Sequence, residues 1–205
     1  MRGWILAAFL LLACGSSSPG GSGLDGGSAA TSSGGSGPDA YVLATLGPGP
    51  SGSCSAKMTS TVFALGTASA GHPATVQNGA NAGGGVASVS CTVHPNGGGF
   101  ELQLSAQVGG PLGGSLTIGP DTVAAFGGQA LAVSIAGGGG ALGYSENPCT
   151  LTYVYGGQPV PVSTPIAAGR IWGHVSCTNA GPTLSSDPPG NCDLEADFLF
   201  EQCGQ

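Results

Sequence analysis

The chain has 205 residues, three Lys/Arg against ten Asp/Glu, and a formal net charge of −7. A surface so poor in cations cannot neutralise phosphates, which excludes nucleic acid as a partner, and it offers no polybasic patch to anionic lipid headgroups. Forty-one glycines and 15 prolines reach a level that elsewhere signals disorder, so their distribution along the chain decides which parts fold.

Residues 1–13 open with Met1-Arg2-Gly3, a cationic start, and continue as the apolar run WILAAFLLL from Trp4 to Leu12. A bilayer-spanning helix needs about 20 apolar residues, so this run has the length of a signal-peptide core instead. It ends in Leu11-Leu12-Ala13-Cys14. Cationic start, apolar core and L-x-A-C in that order resemble the lipobox of bacterial lipoproteins. The resemblance implies a diacylglycerol on the Cys14 sulfur, cleavage just before that residue, and a palmitate-type acyl group on the new amino terminus. Two or three acyl chains hold a protein stably on a membrane where one chain is marginal. Family members with Asp after the cysteine tend to stay at the inner membrane, so Gly15 implies export to an outer membrane or the cell surface. The alternative is an ordinary signal peptide with Cys14 as an incidental thiol.

From Cys14 to Ala40 the sequence is almost wholly Gly, Ser, Ala and Pro. Such a tract buries too little apolar surface to offset chain ordering. Residues 14–40 are therefore expected to form a disordered Gly/Ser tether, with a root-mean-square reach on the order of 25–30 Å.

Residues 41–205 read as a single all-β domain. Glycines here gather in short runs at 83–85, 97–99 and 137–140, with apolar and β-branched segments between them. GPGPSG, from Gly47 to Gly52, formally satisfies G-x-G-x-x-G. It lacks the following amphipathic helix that would present amides to a pyrophosphate, so no dinucleotide cofactor is expected. Residues 59–65 form the first candidate strand. Val89, Cys91 and Val93 alternate, HPNGGG supplies a turn, and FELQLSAQV at 100–108 alternates strictly, which together predict a hairpin. Further strands are expected at 115–118, 131–135 and 149–155. No window sustains a helical period, and a β-sandwich or open barrel of antiparallel strands is the natural solution.

Six cysteines follow Cys14: Cys54, Cys91, Cys149, Cys177, Cys192 and Cys203. An even number in an exported chain reads as three disulfides, and no C-x-x-C or Cys/His spacing favours a metal site. GRIWGHVSC (169–177) and CDLEADFLF (192–200) pair well if Cys177 faces Cys192. Val175 then meets Leu194, Gly173 meets Ala196 and Ile171 meets Phe198 on one apolar face. Ser176 meets Asp193, His174 meets Glu195 and Trp172 meets Asp197 on the other. Directly opposed positions suit a disulfide, so Cys177–Cys192 is expected, with Cys54–Cys91 and Cys149–Cys203 as the leading arrangement of the rest. GRIWGHVSC and the later C-x₅-F-x-F-x₂-C also resemble the C-terminal part of small uncharacterised lipoproteins common in myxobacteria. That resemblance brings no activity with it.

The polar face gathers His174, Glu195 and Asp197, a possible cation or acid–base site, although a solvated strand face explains the same pattern. Calcium would want more oxygen ligands, to which Asp187 could add. His72 and His94 each precede proline and read as extended punctuation. No H-E-x-x-H, H-x₃₋₅-H or G-x-S-x-G pattern occurs, so neither zinc chemistry nor a serine elbow has support. Tyr153, Tyr155 and Trp172 could form part of a binding face, although Tyr153 and Tyr155 share a side with Leu151, as core residues would. Trp172 is expected to point outward, where it could stack on a sugar or meet a protein partner; the alternative is cover by the tether or another strand. The reading is a lipid-anchored envelope protein of structural or recognition role, with no catalysis, cofactor or metal, whose partner is an unknown envelope component or glycan. Its rivals are a carbohydrate- or protein-binding module using Trp172 and the acidic strand, and an extracytoplasmic hydrolase.

Overall fold

A computed structural model of the chain describes residues 37–49, 54, 59–111, 113–138, 142–184 and 190–205. The expected leader, Cys14, nearly all of the expected tether, Lys57 and Asp187 lie outside the described residues. Among the described residues fourteen strands follow in chain order: β1 (Asp39–Pro48), β2 (Ser60–Leu65), β3 (Val76–Gln77), β4 (Asn81–Ala82), β5 (Gly85–Asn96), β6 (Gly99–Val108) and β7 (Gly114–Val123). The remainder are β8 (Ala130–Gly137), β9 (Leu142–Thr152), β10 (Val154–Tyr155), β11 (Gln158–Pro159), β12 (Ile166–Ala167), β13 (Arg170–Pro182) and β14 (Cys192–Glu201). The domain is thus all-β and antiparallel. The expected hairpin is β5–β6, in which Cys91 faces Leu104 and Val93 faces Leu102.

Twelve strands form one sheet in the order β2-β1-β14-β13-β9-β8-β7-β6-β5-β4, with β3 on β1 and β12 on β13, while β10 and β11 make a separate hairpin. The sheet folds over its own apolar face in the manner of a sandwich. Alternate residues such as Val42, Leu104, Ile118, Val133, Val175 and Phe198 meet in one continuous core, as the two-residue period of a pleated strand requires. Strand β2 crosses the ends of β7 and β8 so closely that a Cβ on Gly114 would strike the Phe63 ring, and one on Gly137 would strike the Val62 carbonyl. Glycine is required at both positions by space.

One edge is closed by the chain terminus. Val93 N donates to Gly204 O at 3.0 Å, Gly204 N donates to Cys91 O at 2.9 Å, and Gly169 N donates to Val93 O at 3.0 Å. The Cys91–Cys203 disulfide fastens the same place, with Cα atoms 4.8 Å apart. An edge whose amides and carbonyls are occupied does not recruit other strands.

The β1 strand is the element that alternation alone does not reveal. Ala40, Val42, Ala44 and Leu46 enter the main core, while Tyr41 packs on the opposite face. A strand covered on both faces reads as a continuous apolar run, here YVLATL. It begins at Asp39, two residues before the expected domain start, and takes Gly47 and Pro48 of GPGPSG as its last residues.

The disulfides are Cys54–Cys192, Cys91–Cys203 and Cys149–Cys177. All six expected cysteines are bridged, but each of the three expected pairings is wrong. Strands β13 and β14 are paired two residues away from the expected register: Ile171 faces Phe200, His174 faces Asp197, and Cys177 faces Leu194. A bulge then brings Ala180 opposite Cys192. Cys177 finds its partner on its other neighbour, where Ser176 faces Thr150 and Cys149 follows in line. A slip of two leaves every side chain on its expected face, which is why the core assignment survives while the pairs change.

Candidate functional site

The outer face of β1, β14 and β13 carries the residues that the sequence singled out. Cross-strand pairing arranges them in three rows. The first is Tyr41, Leu199 and Trp172; the second is Leu43, Asp197 and His174, continued by Thr152 on β9; the third is Thr45, Glu195 and Ser176.

The first row is not exposed. Trp172 is 1% accessible and Tyr41 2%, and with Val160 and Leu199 they form a second apolar cluster, flanked by Leu43, Tyr153, Tyr155 and Val162. Trp172 does leave the main core as expected, but solvent exposure is corrected: of the two expected states, cover by another part of the chain is the one present. The segment around the β10–β11 hairpin and the loop bearing His72 cover the indole. The Tyr155 ring stands 5.4 Å from Trp172 at 60°, and His72 stands 5.3 Å away at 69°. Such edge-to-face contacts suit the quadrupoles of aromatic rings. Tyr155 also meets Tyr41 edge-on at 5.9 Å, and Ser69 N donates to the Tyr155 hydroxyl at 3.2 Å. His72 therefore closes a small core, with its Nε2 3.8 Å from Glu201 Oε2. Tyr155 belongs to this outer cluster and not to the side of Leu151, because the strand breaks at Tyr153 between β9 and β10.

Among the described residues, the Trp172 indole nitrogen is sealed under this cover with no hydrogen-bond acceptor, and the Tyr41 hydroxyl is sealed beside Tyr155. Burial, then the proximity of Tyr155 and Asp197, pushes the Tyr41 phenol well above the ordinary tyrosine range. Tyr153 is raised to about 12 by burial, and its hydroxyl donates to Ala124 O at 2.9 Å.

The second row holds the titratable pair. His174 Nδ1 lies 2.9 Å from Asp197 Oδ1, and both side chains are about four-fifths covered, at 21% and 19% accessible. The expected gathering of His174 and Asp197 is thus present. Glu195 stands one row away beside Ser176 and is exposed, so it is not the partner of His174. A carboxylate bonded to Nδ1 fixes the ring orientation and directs Nε2 away from the acid. Thr152 is the hydroxyl opposite His174, and no hydrogen bond joins the two among the described residues. The arrangement is an acid–base pair on a strand face, and among the described residues no nucleophile is hydrogen-bonded to the imidazole. Nor do three His, Cys, Asp or Glu side chains converge on one point among the described residues. His94 faces Glu101 on the exposed side of the β5–β6 hairpin.

The sequence singled out Tyr153, Tyr155 and Trp172 of the outer cluster, but not the cluster itself. Its members come from four separate stretches, and their common signal is only that apolar residues occupy both faces of β1 and β14. No protein-family model matches the chain, and neither a curated protein nor a solved structure is similar to it.

Proposed function

We propose that this chain is an exported, lipid-anchored envelope protein whose disulfide-tied β domain has a non-catalytic recognition or structural role. The observation that carries the reading is the pairing of all six cysteines downstream of the leader with one another. No cysteine of the domain needs Cys14, which follows the apolar run at the lipobox position. Three disulfides are compatible with an oxidising, extracytoplasmic compartment. Lipid at Cys14 and a tether of about 26 residues would hold such a domain on the membrane with room to reach a partner. Gly15 after the cysteine favours the outer membrane or cell surface.

Intact-mass measurement of the mature protein tests this reading. It expects an amino terminus at Cys14 carrying acyl mass, and release of a Cys14→Ser variant into the aqueous phase on detergent partition. A wild-type product that begins elsewhere, or that partitions into water, overturns it. The hydrolase alternative draws on the His174–Asp197 pair alone, and substrate turnover that vanishes in His174→Ala would be its support.

A further inference from the structure

The outer face of β5–β9 is built differently from the aromatic face just described. Cross-strand pairing sets Ser90, Ser105, Thr117, Ser134 and Ser145 in a single row over five adjacent strands. The neighbouring row is Gln107, Ser115 and Ala136. All of these residues are exposed or half-exposed. One cleft, of about 370 Å³, is lined by Thr117, Gly119, Ala132, Ser134, Ser145 and Glu146. It forms where β7 and β8 part: their pairing ends at Ile118 and Val133, and Asp121 Oδ2 accepts the Ala132 amide at 2.9 Å. A second cleft, of about 210 Å³, is lined by Gln107, Ser115, Ala136 and the glycines that precede β7. The two lie end to end along β7, from residue 113 to residue 119, a trough of roughly 20 Å at the rise of a strand.

We propose that this trough binds a linear, uncharged polyhydroxylated chain, that is, a neutral glycan strand. The inference rests on the recognition role proposed above and gives it a substrate class. Length argues for a polymer, because two clefts in line along one strand fit successive units of a chain better than a single compact ligand. The lining chemistry argues for hydroxyls. Each Ser or Thr hydroxyl donates one hydrogen bond and accepts others, which complements sugar hydroxyls that do the same. Charge excludes an anionic polymer: among the described lining residues Glu146 is the one charged side chain, and it would repel such a chain. A peptide strand has no edge to join, because β7 and β8 are paired on both sides over residues 115–118 and 133–136.

The test is affinity electrophoresis of the full chain in nonionic detergent. The gels contain hydroxyethyl cellulose, laminarin, mannan or dextran, with alginate as the anionic comparison. At least one neutral polysaccharide is expected to retard the wild type. The variant Thr117→Val/Ser134→Ala/Ser145→Ala should lose affinity by about tenfold or more, the combined effect of three hydrogen bonds worth a modest net amount each. Ser134→Tyr, at an exposed position, should abolish retardation by filling the trough. Far-UV circular dichroism and a mass showing three intact disulfides establish that both variants are folded. The inference is overturned if no neutral polysaccharide retards the wild type, if only alginate does, or if folded variants are retarded as strongly as wild type. The acyl mass on Cys14 is read from the same preparation. A lipidated protein without glycan retardation therefore refutes this inference and leaves the anchoring intact.

Discussion

Removal of the Cys91–Cys203 bridge is the perturbation that tests most sharply how this fold is held. The bridge joins the outer edge of β5 to the last residues of the chain and spans 112 residues of sequence. With Cys54–Cys192 intact, however, a shorter covalent route runs from Cys91 back to Cys54, across to Cys192 and on to Cys203, about 50 residues in all. The constraint on the unfolded chain follows this shorter loop, so Cys91→Ala/Cys203→Ala should lose about 4 kcal/mol of stability. The Cys149–Cys177 bridge closes 28 residues with no shortcut, and its removal should lose about 3.5 kcal/mol. The two losses are thus nearly equal, although the sequence separations differ fourfold. Urea unfolding followed by circular dichroism should show each midpoint lowered by roughly 2 M for a domain of this size. Amide exchange at Val93 and Gly204 should quicken in the first variant only. A loss below about 1 kcal/mol for the Cys91–Cys203 variant would refute the reasoning, because the bridge would then not be what restricts the unfolded chain.

Other outcomes follow from the outer face. With Trp4 removed by cleavage or replaced by Phe, Trp172 is the single tryptophan, and its emission should be blue-shifted and poorly quenched by iodide. Trp172→Ala should lose about 3–5 kcal/mol by emptying the outer cluster, whereas Trp172→Phe should lose far less, because the ring stays and no described residue accepts the indole N–H. A double-mutant cycle between His174→Ala and Asp197→Asn should give a coupling of up to about 1 kcal/mol for this part-exposed pair. The same cycle with Glu195→Gln should give none, and a coupling to Glu195 would restore the rejected register. Tyr153, raised by burial from 10.0 to about 12, and Tyr41, raised further in the same direction, hold their protons more tightly folded than unfolded. Their contribution to stability is complete below pH 10 and lost as the pH climbs toward 12, so the urea midpoint should fall across that window. Tyr153→Phe should flatten the fall.

The alternating strands were legible in the sequence because one of their faces meets water. FELQLSAQV buries Leu102, Leu104, Ala106 and Val108 and leaves Glu101, Gln103 and Gln107 outside, and its hairpin with Val89, Cys91 and Val93 follows directly. Strand β1 escaped the same reading because both of its faces are covered, and a chain without alternation gives no phase. Trp172 escaped for a related reason. Its parity put it opposite the main core, correctly, but only the return of Val160 and His72 over that face made the position dry.

Composition and periodicity by themselves determined the class of the fold, the face taken by residues of the alternating strands and the expectation of three disulfides, while the resemblance of the leader to a lipobox made Cys14 a candidate for lipid. These depend on local pattern, in which a side chain's parity decides what it meets. Register, cysteine partnership and the cover over Trp172 were decided only by the tertiary structure. A two-residue slip changes no parity, so apolar pairing scores alike in either register. Cys177 was drawn to Cys149 because β9 lies on its other flank, a neighbour that no stretch of chain between Cys177 and Cys192 announces.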